Sequence, residues 1–230
     1  MDLKKISVKD LVENQNKNKI LFTPGPASLL EENIKGIRPC FGRGDSDYEK
    51  IENYVMNKLK KMSNHKFIAR MQGSGSLALE IVASNFIYGK VLIIDTGYYS
   101  DRLYLLSKNA KKNFKKIKKI QKINWKKISE VKERFDWIWA CPTETSIGLK
   151  LPIYKLKQIS NKSNAKLALD ATASFGLETG HNLADVISYS SCKGLFGLTG
   201  ASFIAFNKIP KYRISSFYLD VKNHLEKKMT

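Results

Sequence analysis

Four short runs of the chain, KVLIID (90–95), DWIWACP (136–142), KLALD (166–170) and DVISYSSCK (185–193), are largely apolar until each ends in polar or small residues. A strand that is apolar at nearly every position, instead of every second one, is a strand covered on both faces. Stretches with helical spacing of apolar residues accompany them: SLALEIVASNFI (76–87), RLYLLSKNAKKN (102–113) and IYKLKQISNKSN (153–164). Ser76 follows Gly73-Ser74-Gly75 and is expected to cap the first of these helices. Strands separated by helices predict βαβ units, hence an α/β fold with a mainly parallel sheet flanked by helices. Ligands of such sheets sit beyond the carboxyl ends of the strands, so chemistry is expected in the residues that follow each run.

At 230 residues and 43% apolar content the chain can bury a substantial core. No apolar run reaches the roughly 18 residues of a membrane-spanning helix. The opening MDLKKISVKDLVENQNKNK lacks the apolar stretch of a signal peptide. Cys40, Cys141 and Cys192 are few, odd in number and far apart, which argues against a disulfide framework and a zinc site. A reducing, cytoplasmic setting is expected. The net charge of +19 invites a nucleic-acid reading, and half of residues 108–127 are lysine. Against it, arginine supplies only 6 of the 40 basic residues, and the planar guanidinium is the favoured group for phosphates and base edges. Phe114, Ile117, Ile120 and Ile123 recur every third residue, which suits one buried stripe beneath a solvated lysine face. Neither a nucleic acid nor a membrane is expected as a partner.

Five stretches stand at predicted strand ends or helix starts. MQGSGS (71–76) is a glycine-rich turn into a helix, where free backbone N–H groups and the helix dipole favour a phosphate, although such turns are also commonplace. DTGYYSDR (95–102) sets two tyrosines after a strand, either as core residues or as a stacking face for a flat ligand. CPTETSIG (141–148) carries Glu144 among hydroxyl residues, LDATASFG (169–176) carries Asp170, and SYSSCKG (188–194) carries Lys193. Alone, such an Asp is commonly a helix cap and such a Lys is commonly solvated. Together, at the ends of two predicted strands 23 residues apart, one βα unit sets them on the same rim. A buried carboxylate can keep a heteroaromatic nitrogen protonated, and a desolvated lysine amine can attack a carbonyl to form a Schiff base. With a phosphate cradle and an aromatic face, these are the requirements of pyridoxal 5′-phosphate (PLP).

In this arrangement the chain resembles the class V, fold-type I PLP-dependent aminotransferases, with 2-aminoethylphosphonate–pyruvate aminotransferases nearest in pattern. The residues that carry the likeness are FTPGP (22–26), QGSGS (72–76), GYYSDR (97–102), ETSIG (144–148), DATASFG (170–176) and SSCKGLFGLTGASF (190–203), in the family's order. The resemblance implies the PLP-transferase large domain over residues 20–214, preceded by an N-terminal segment (1–19) and followed by the start of a truncated C-terminal region (215–230). It implies that Lys193 is the Schiff-base lysine and proton carrier, and that Asp170 is the partner of the pyridine nitrogen. By the same likeness Gly75 and Ser76 bind the phosphate, Tyr99 stacks on the ring, Thr145 lies near its phenolic oxygen and Cys192 lies beside the phosphate. Pro142, Cys192, Phe196, Thr199 and Ser100 depart from the family pattern, and the arginine of the family's small domain has no counterpart before Thr230. The implied activity is transfer of an amino group from a small amine donor, aminoethylphosphonate-like or an amino acid, to pyruvate or glyoxylate, in a homodimer. The alternatives are a truncated, catalytically impaired or partner-dependent protein of the same fold, and a lyase or desulfurase. A desulfurase needs a cysteine on a mobile loop, which none of the three cysteines supplies by its sequence setting.

Overall fold

A computed structural model describes residues 25–26, 42, 44–211 and 213–226. The N-terminal segment 1–19, residues 22–24 of FTPGP and Cys40 lie outside the described residues. The elements run α1 (Ser46–Ser63), β1 (Phe67–Gln72), α2 (Gly75–Asn85), β2 (Gly89–Asp95), α3 (Tyr98–Phe114) and β3 (Ile117–Asn124). They continue through β4 (Trp137–Ala140), the short pair β5 (Thr143–Glu144) and β6 (Leu149–Lys150), α4 (Ile153–Lys162), β7 (Lys166–Asp170), β8 (Val186–Ser190), β9 (Ala201–Phe206) and α5 (Val221–Glu226).

Seven strands form one sheet in the order β1-β9-β8-β7-β4-β2-β3. Only β9 runs antiparallel to its neighbours; the contiguous set β8-β7-β4-β2-β3 is parallel. The four runs singled out in the sequence are β2, β4, β7 and β8, and the apolar run after Lys193 is β9. Every residue of β4 and β8 is buried. The reason is that helices cover both faces. On one face Leu79, Ile81 and Val82 of α2 and Leu103 of α3 pack on Val91, Ile93, Trp139 and Ile204. On the other, Leu59 of α1 and Leu156 of α4 pack on Leu92, Ile138, Leu167 and Leu169.

Two expectations change in detail. Helix α2 begins at Gly75 with Ser74 in the capping position, so Ser76 lies inside the first turn and is not its cap. The isoleucines of the lysine-rich stretch belong to strand β3, not to a single stripe. A register shift opposite Gly89/Lys90 inserts an extra residue, which turns Ile117 and Ile120 to one face while Ile123 joins the other. This strand is the sheet's edge, and its exposed lysines oppose pairing with another chain. Beyond the sheet, Val221 of α5 is fully buried in the core that also holds α2.

Asn85, at the C-terminal end of α2, holds that segment. Its amide donates to Leu219 O at 2.7 Å and to Ile81 O at 2.8 Å, and its carbonyl accepts from Val221 N–H at 3.1 Å. Replacing a group that serves buried backbone partners leaves those partners unsatisfied, at about 1–3 kcal/mol. Asn85→Ala should therefore lower the urea midpoint by a stability loss of about 1–3 kcal/mol and hasten proteolytic cleavage within residues 213–226. Unchanged cleavage there would exclude Asn85 as the anchor.

Candidate functional site

The sheet order reverses between β2 and β4: from β2 the chain steps outward to β3 and then returns to β4 on the other side. A crevice beyond the carboxyl ends of the strands follows from that reversal. Along this rim lies a cavity of about 180 Å³. All seven residues singled out in the sequence, Gly75, Ser76, Tyr99, Thr145, Asp170, Cys192 and Lys193, line it. They arrive from the loops and helix starts that follow β1, β2, β4, β7 and β8.

Asp170 ends β7 with only 4% of its surface exposed. One carboxylate oxygen accepts the Thr172 backbone N–H at 3.0 Å, and no ion pair to Asp170 occurs among the described residues. Burial dominates its titration and raises the pKa above the ordinary value, against the opposing hydrogen bonding from Thr172 and the field of Arg102. Here the buried anion lacks a counter-cation. Lys193 stands three residues past β8, half-buried, and its Nζ donates to Gly25 O at 2.8 Å. Its aliphatic stem lies against Gly25, where a Cβ would collide with Lys193 Cδ. That contact gives the glycine-proline unit of FTPGP a physical role: it holds the lysine stem and amine in place.

At the other end of the cavity, α2 presents its first-turn N–H groups. A Cβ on Gly75 would come within 3.1–3.2 Å of the Thr172 side chain, so glycine keeps this turn tight against the β7 rim. Tyr99 sits on the first turn of α3, edge-on to Tyr98, with ring centroids 5.3 Å apart. Between Tyr99 and the α2 turn lies Arg102. Its guanidinium carbon is 5.1 Å from the Tyr99 ring centre, and its Nη1 donates to Ser76 Oγ at 3.3 Å.

Glu144 does not line the cavity; it is wholly buried behind it. Its Oε2 accepts from Tyr99 N–H at 3.0 Å, Thr96 Oγ1 at 3.3 Å and Ser100 N–H at 3.4 Å, while Oε1 accepts from Ser146. A carboxylate at these N–H groups meets the positive end of the α3 dipole and fixes the turn that carries Tyr99. The same turn requires Gly97, whose φ of +137° is in the region that favours glycine and whose missing Cβ would press on Ser146 and Glu144.

Sequence reasoning assigned no role to Arg102, Thr172 or Thr143, although all three line the cavity. The first two fall inside quoted motifs, GYYSDR and DATASFG, and their distance from Tyr99 and Asp170 was the available signal. Thr143 Oγ1 is bonded to Glu178 Oε1 at 2.7 Å. Cys141 also reaches the cavity, but burial, reinforced by Asp170 and Glu144, pushes its thiol well above the ordinary range. It stays protonated and is a poor nucleophile.

The residues present fit PLP on two counts. The buried Asp170 carboxylate offers the counter-charge that a protonated ring nitrogen requires, and the Gly75 turn leaves space at a helix N-terminus that a side chain would fill.

No family model matches the chain. It is 24% identical over 199 residues to a 2-aminoethylphosphonate–pyruvate transaminase of Pseudomonas aeruginosa, covering 80% of this chain and 53% of that protein. It is 26% identical over 226 residues to an uncharacterized aminotransferase of Helicobacter pylori, covering 90% and 60%. The chain thus spans little more than half the length of these relatives. Among solved structures, ureidoglycine–glyoxylate aminotransferase of Bacillus subtilis superposes with a TM-score of 0.74 at 19% identity, covering 90% of this chain and 59% of that one. The chain is a sequence relative of the 2-aminoethylphosphonate–pyruvate transaminases and has the fold of the class V, fold-type I PLP-dependent aminotransferases.

Proposed function

We propose that this chain binds PLP in the carboxyl-edge cavity and uses it for transamination, with a small amine as donor and pyruvate or glyoxylate as acceptor. The observation that carries the reading is the meeting of Lys193 and Asp170 in one cavity with the Gly75–Ser76 helix start. When bound, PLP supplies an aldehyde for an amine to engage and a ring that accepts electron density. Lys193 Nζ would be the amine that holds the aldehyde, and would carry the proton that transamination relocates between two carbons. The Asp170 carboxylate would keep a proton on the ring nitrogen. Gly75, Ser76 and Cys192 would hold the phosphate, and Arg102 adds a positive charge at Ser76. Tyr99, fixed from behind by Glu144, would supply an aromatic face for the ring, and Thr145 a hydroxyl for its phenolic oxygen. Support for the acceptors comes from the relatives: the Pseudomonas protein is a transaminase of pyruvate and the Bacillus structure one of glyoxylate. A homodimer is part of the same proposal.

Adding PLP to the purified chain should produce a visible absorbance band that borohydride fixes covalently on Lys193, and Lys193→Ala should abolish both. A band of equal strength in Lys193→Ala would end the assignment. With 2-aminoethylphosphonate and pyruvate, the loaded chain should form alanine; PLP fixed on Lys193 without alanine formation from any small amine would rule out transamination by this chain alone. Glu144→Gln, which keeps the shape but removes the charge at α3, should weaken PLP binding by several-fold, at about 1 kcal/mol, while leaving the borohydride product intact.

Asp170 also predicts a pH signature of the PLP-free chain. Its pKa in the folded state is raised from the ordinary 3.8, so the folded form holds the proton more tightly than the unfolded one. Its contribution therefore favours folding in acid and is lost as pH rises from the unfolded value through the folded one. Asp170→Asn removes this penalty. At pH 7 the PLP-free variant should melt higher than the parent, by roughly 2–4 °C per kcal/mol relieved, and the gap should close toward pH 4. The same variant should bind PLP more weakly. A lower melting temperature at pH 7 would contradict an unpaired buried carboxylate.

A further inference from the structure

A second cavity, of about 530 Å³, lies at the opposite edge of the sheet. Its lining comes from the amino ends of the parallel strands and the end of antiparallel β9: Tyr88 before β2, Lys116 before β3, Trp137 opening β4, Lys166 opening β7, Asp185 before β8, and Lys208 after β9. The volume is that of a small-molecule site, within the usual range of about 300–1,000 Å³. Nothing in the proposed transamination uses it.

Three observations define what it would accept. Its floor is aromatic, with Tyr88 and Trp137 edge to face at 6.0 Å, and Phe86 and Ile209 add apolar wall. Its polar groups are nearly all donors. The Lys166 ammonium lies 5.2 Å and 5.4 Å from the Tyr88 and Trp137 ring centres and donates to Tyr88 Oη at 3.0 Å. Lys116 is half-buried, and burial lowers its pKa against the partial compensation of Asp220. Lys208 stands exposed at the mouth. The one carboxylate, Asp185, is already engaged, accepting Leu167 N–H at 3.0 Å and facing Lys157 at 4.0 Å. Thirdly, Trp137 is only 3% exposed and its Nε1 is solvent-inaccessible, so the indole offers a ligand a rigid apolar surface and no hydrogen bond.

We propose that this cavity binds a phosphorylated planar aromatic molecule, its ring against Trp137 and Tyr88 and its phosphate held by Lys116, Lys166 and Lys208. Three ammonium groups from three separate segments match a dianion better than a single carboxylate, and lysine binds phosphate as a point charge. The net charge of +19 raises the local concentration of such an anion.

1-Naphthyl phosphate, 1-naphthol and inorganic phosphate serve as probes, titrated calorimetrically into the full chain after borohydride has fixed PLP on Lys193 and excess PLP has been removed. The first should bind one equivalent, and each of the other two, lacking half of the recognition, should bind at least about tenfold more weakly. Lys166→Glu and Lys116→Glu, both at partly exposed side chains, should each weaken 1-naphthyl phosphate about tenfold or more. The proposal is overturned if 1-naphthyl phosphate does not bind, if naphthol binds as tightly, or if Lys166→Glu and Lys116→Glu both leave its affinity unchanged, which would put the probe elsewhere. Thermal melting of each variant separates loss of the site from loss of the fold: weakened binding with an unchanged melting temperature supports the site, and affinity that tracks only the melting temperature refutes it.

Discussion

Strands β4 and β8 are buried along their whole length because helices press on both faces of the sheet. A sheet clad in this way leaves little room for charged side chains along its buried strands, and β8 carries only the hydroxyls of Ser188, Tyr189 and Ser190. Charged groups therefore gather at the two edges where strands end. Parallel pairing then makes those edges different: one collects every carboxyl end and the other every amino end. Asp170 and Lys193, far apart in sequence terms for a loop, become neighbours of one cavity solely because β7 and β8 are adjacent and run the same way. The α2 start joins them through β1, which is placed at the far side of β9 and points in the same direction.

Two buried acids on the carboxyl edge show how surroundings divide structural from chemical roles. Glu144 is surrounded by donors on both oxygens, so its charge is spent on the start of α3. Asp170 accepts the Thr172 backbone N–H and forms no ion pair among the described residues, and burial raises its pKa against the field of Arg102. The first carboxylate makes the turn under Tyr99 rigid. The second is a local instability that a cationic ligand relieves, so the same residue that weakens the PLP-free fold would strengthen the loaded one.

The central strands were legible because burial on both faces writes itself as a continuous apolar run, and the residues after those runs all reached one cavity. Strand β3 was misread because its isoleucines, three apart, imitate helical spacing when a bulge adds one residue to the strand. Single-sequence periodicity carries no sign of a bulge. Helix α2 was placed but its cap was not: Ser74 and Ser76 are chemically alike, and the chain geometry at Gly75, pressed against Thr172, decides between them. Glu144 was visible as an acid at a strand end, but its partners lie on the α3 turn some 45 residues earlier. No local pattern reports that pairing. The amino-edge cavity was illegible for the same reason, since its lysines come from a lysine-rich chain in which none stands out.

Helix α2 connects the two edges. Its first residue, Gly75, turns tightly against the β7 rim, and its last, Asn85, lines the amino-edge cavity and anchors Leu219 and Val221. Eleven residues at 1.5 Å each make a rod of about 16 Å, too short to bend without breaking its own hydrogen bonds. Its buried face, Ala78, Leu79, Ile81 and Val82, interlocks with the sheet, and packing at that density resists sliding. The helix thus fixes the distance between a turn that must be tight for one ligand and an anchor that must be filled for the C-terminal segment. Packing of residues 213–226 and the shape of the carboxyl-edge cavity are consequently held by one element.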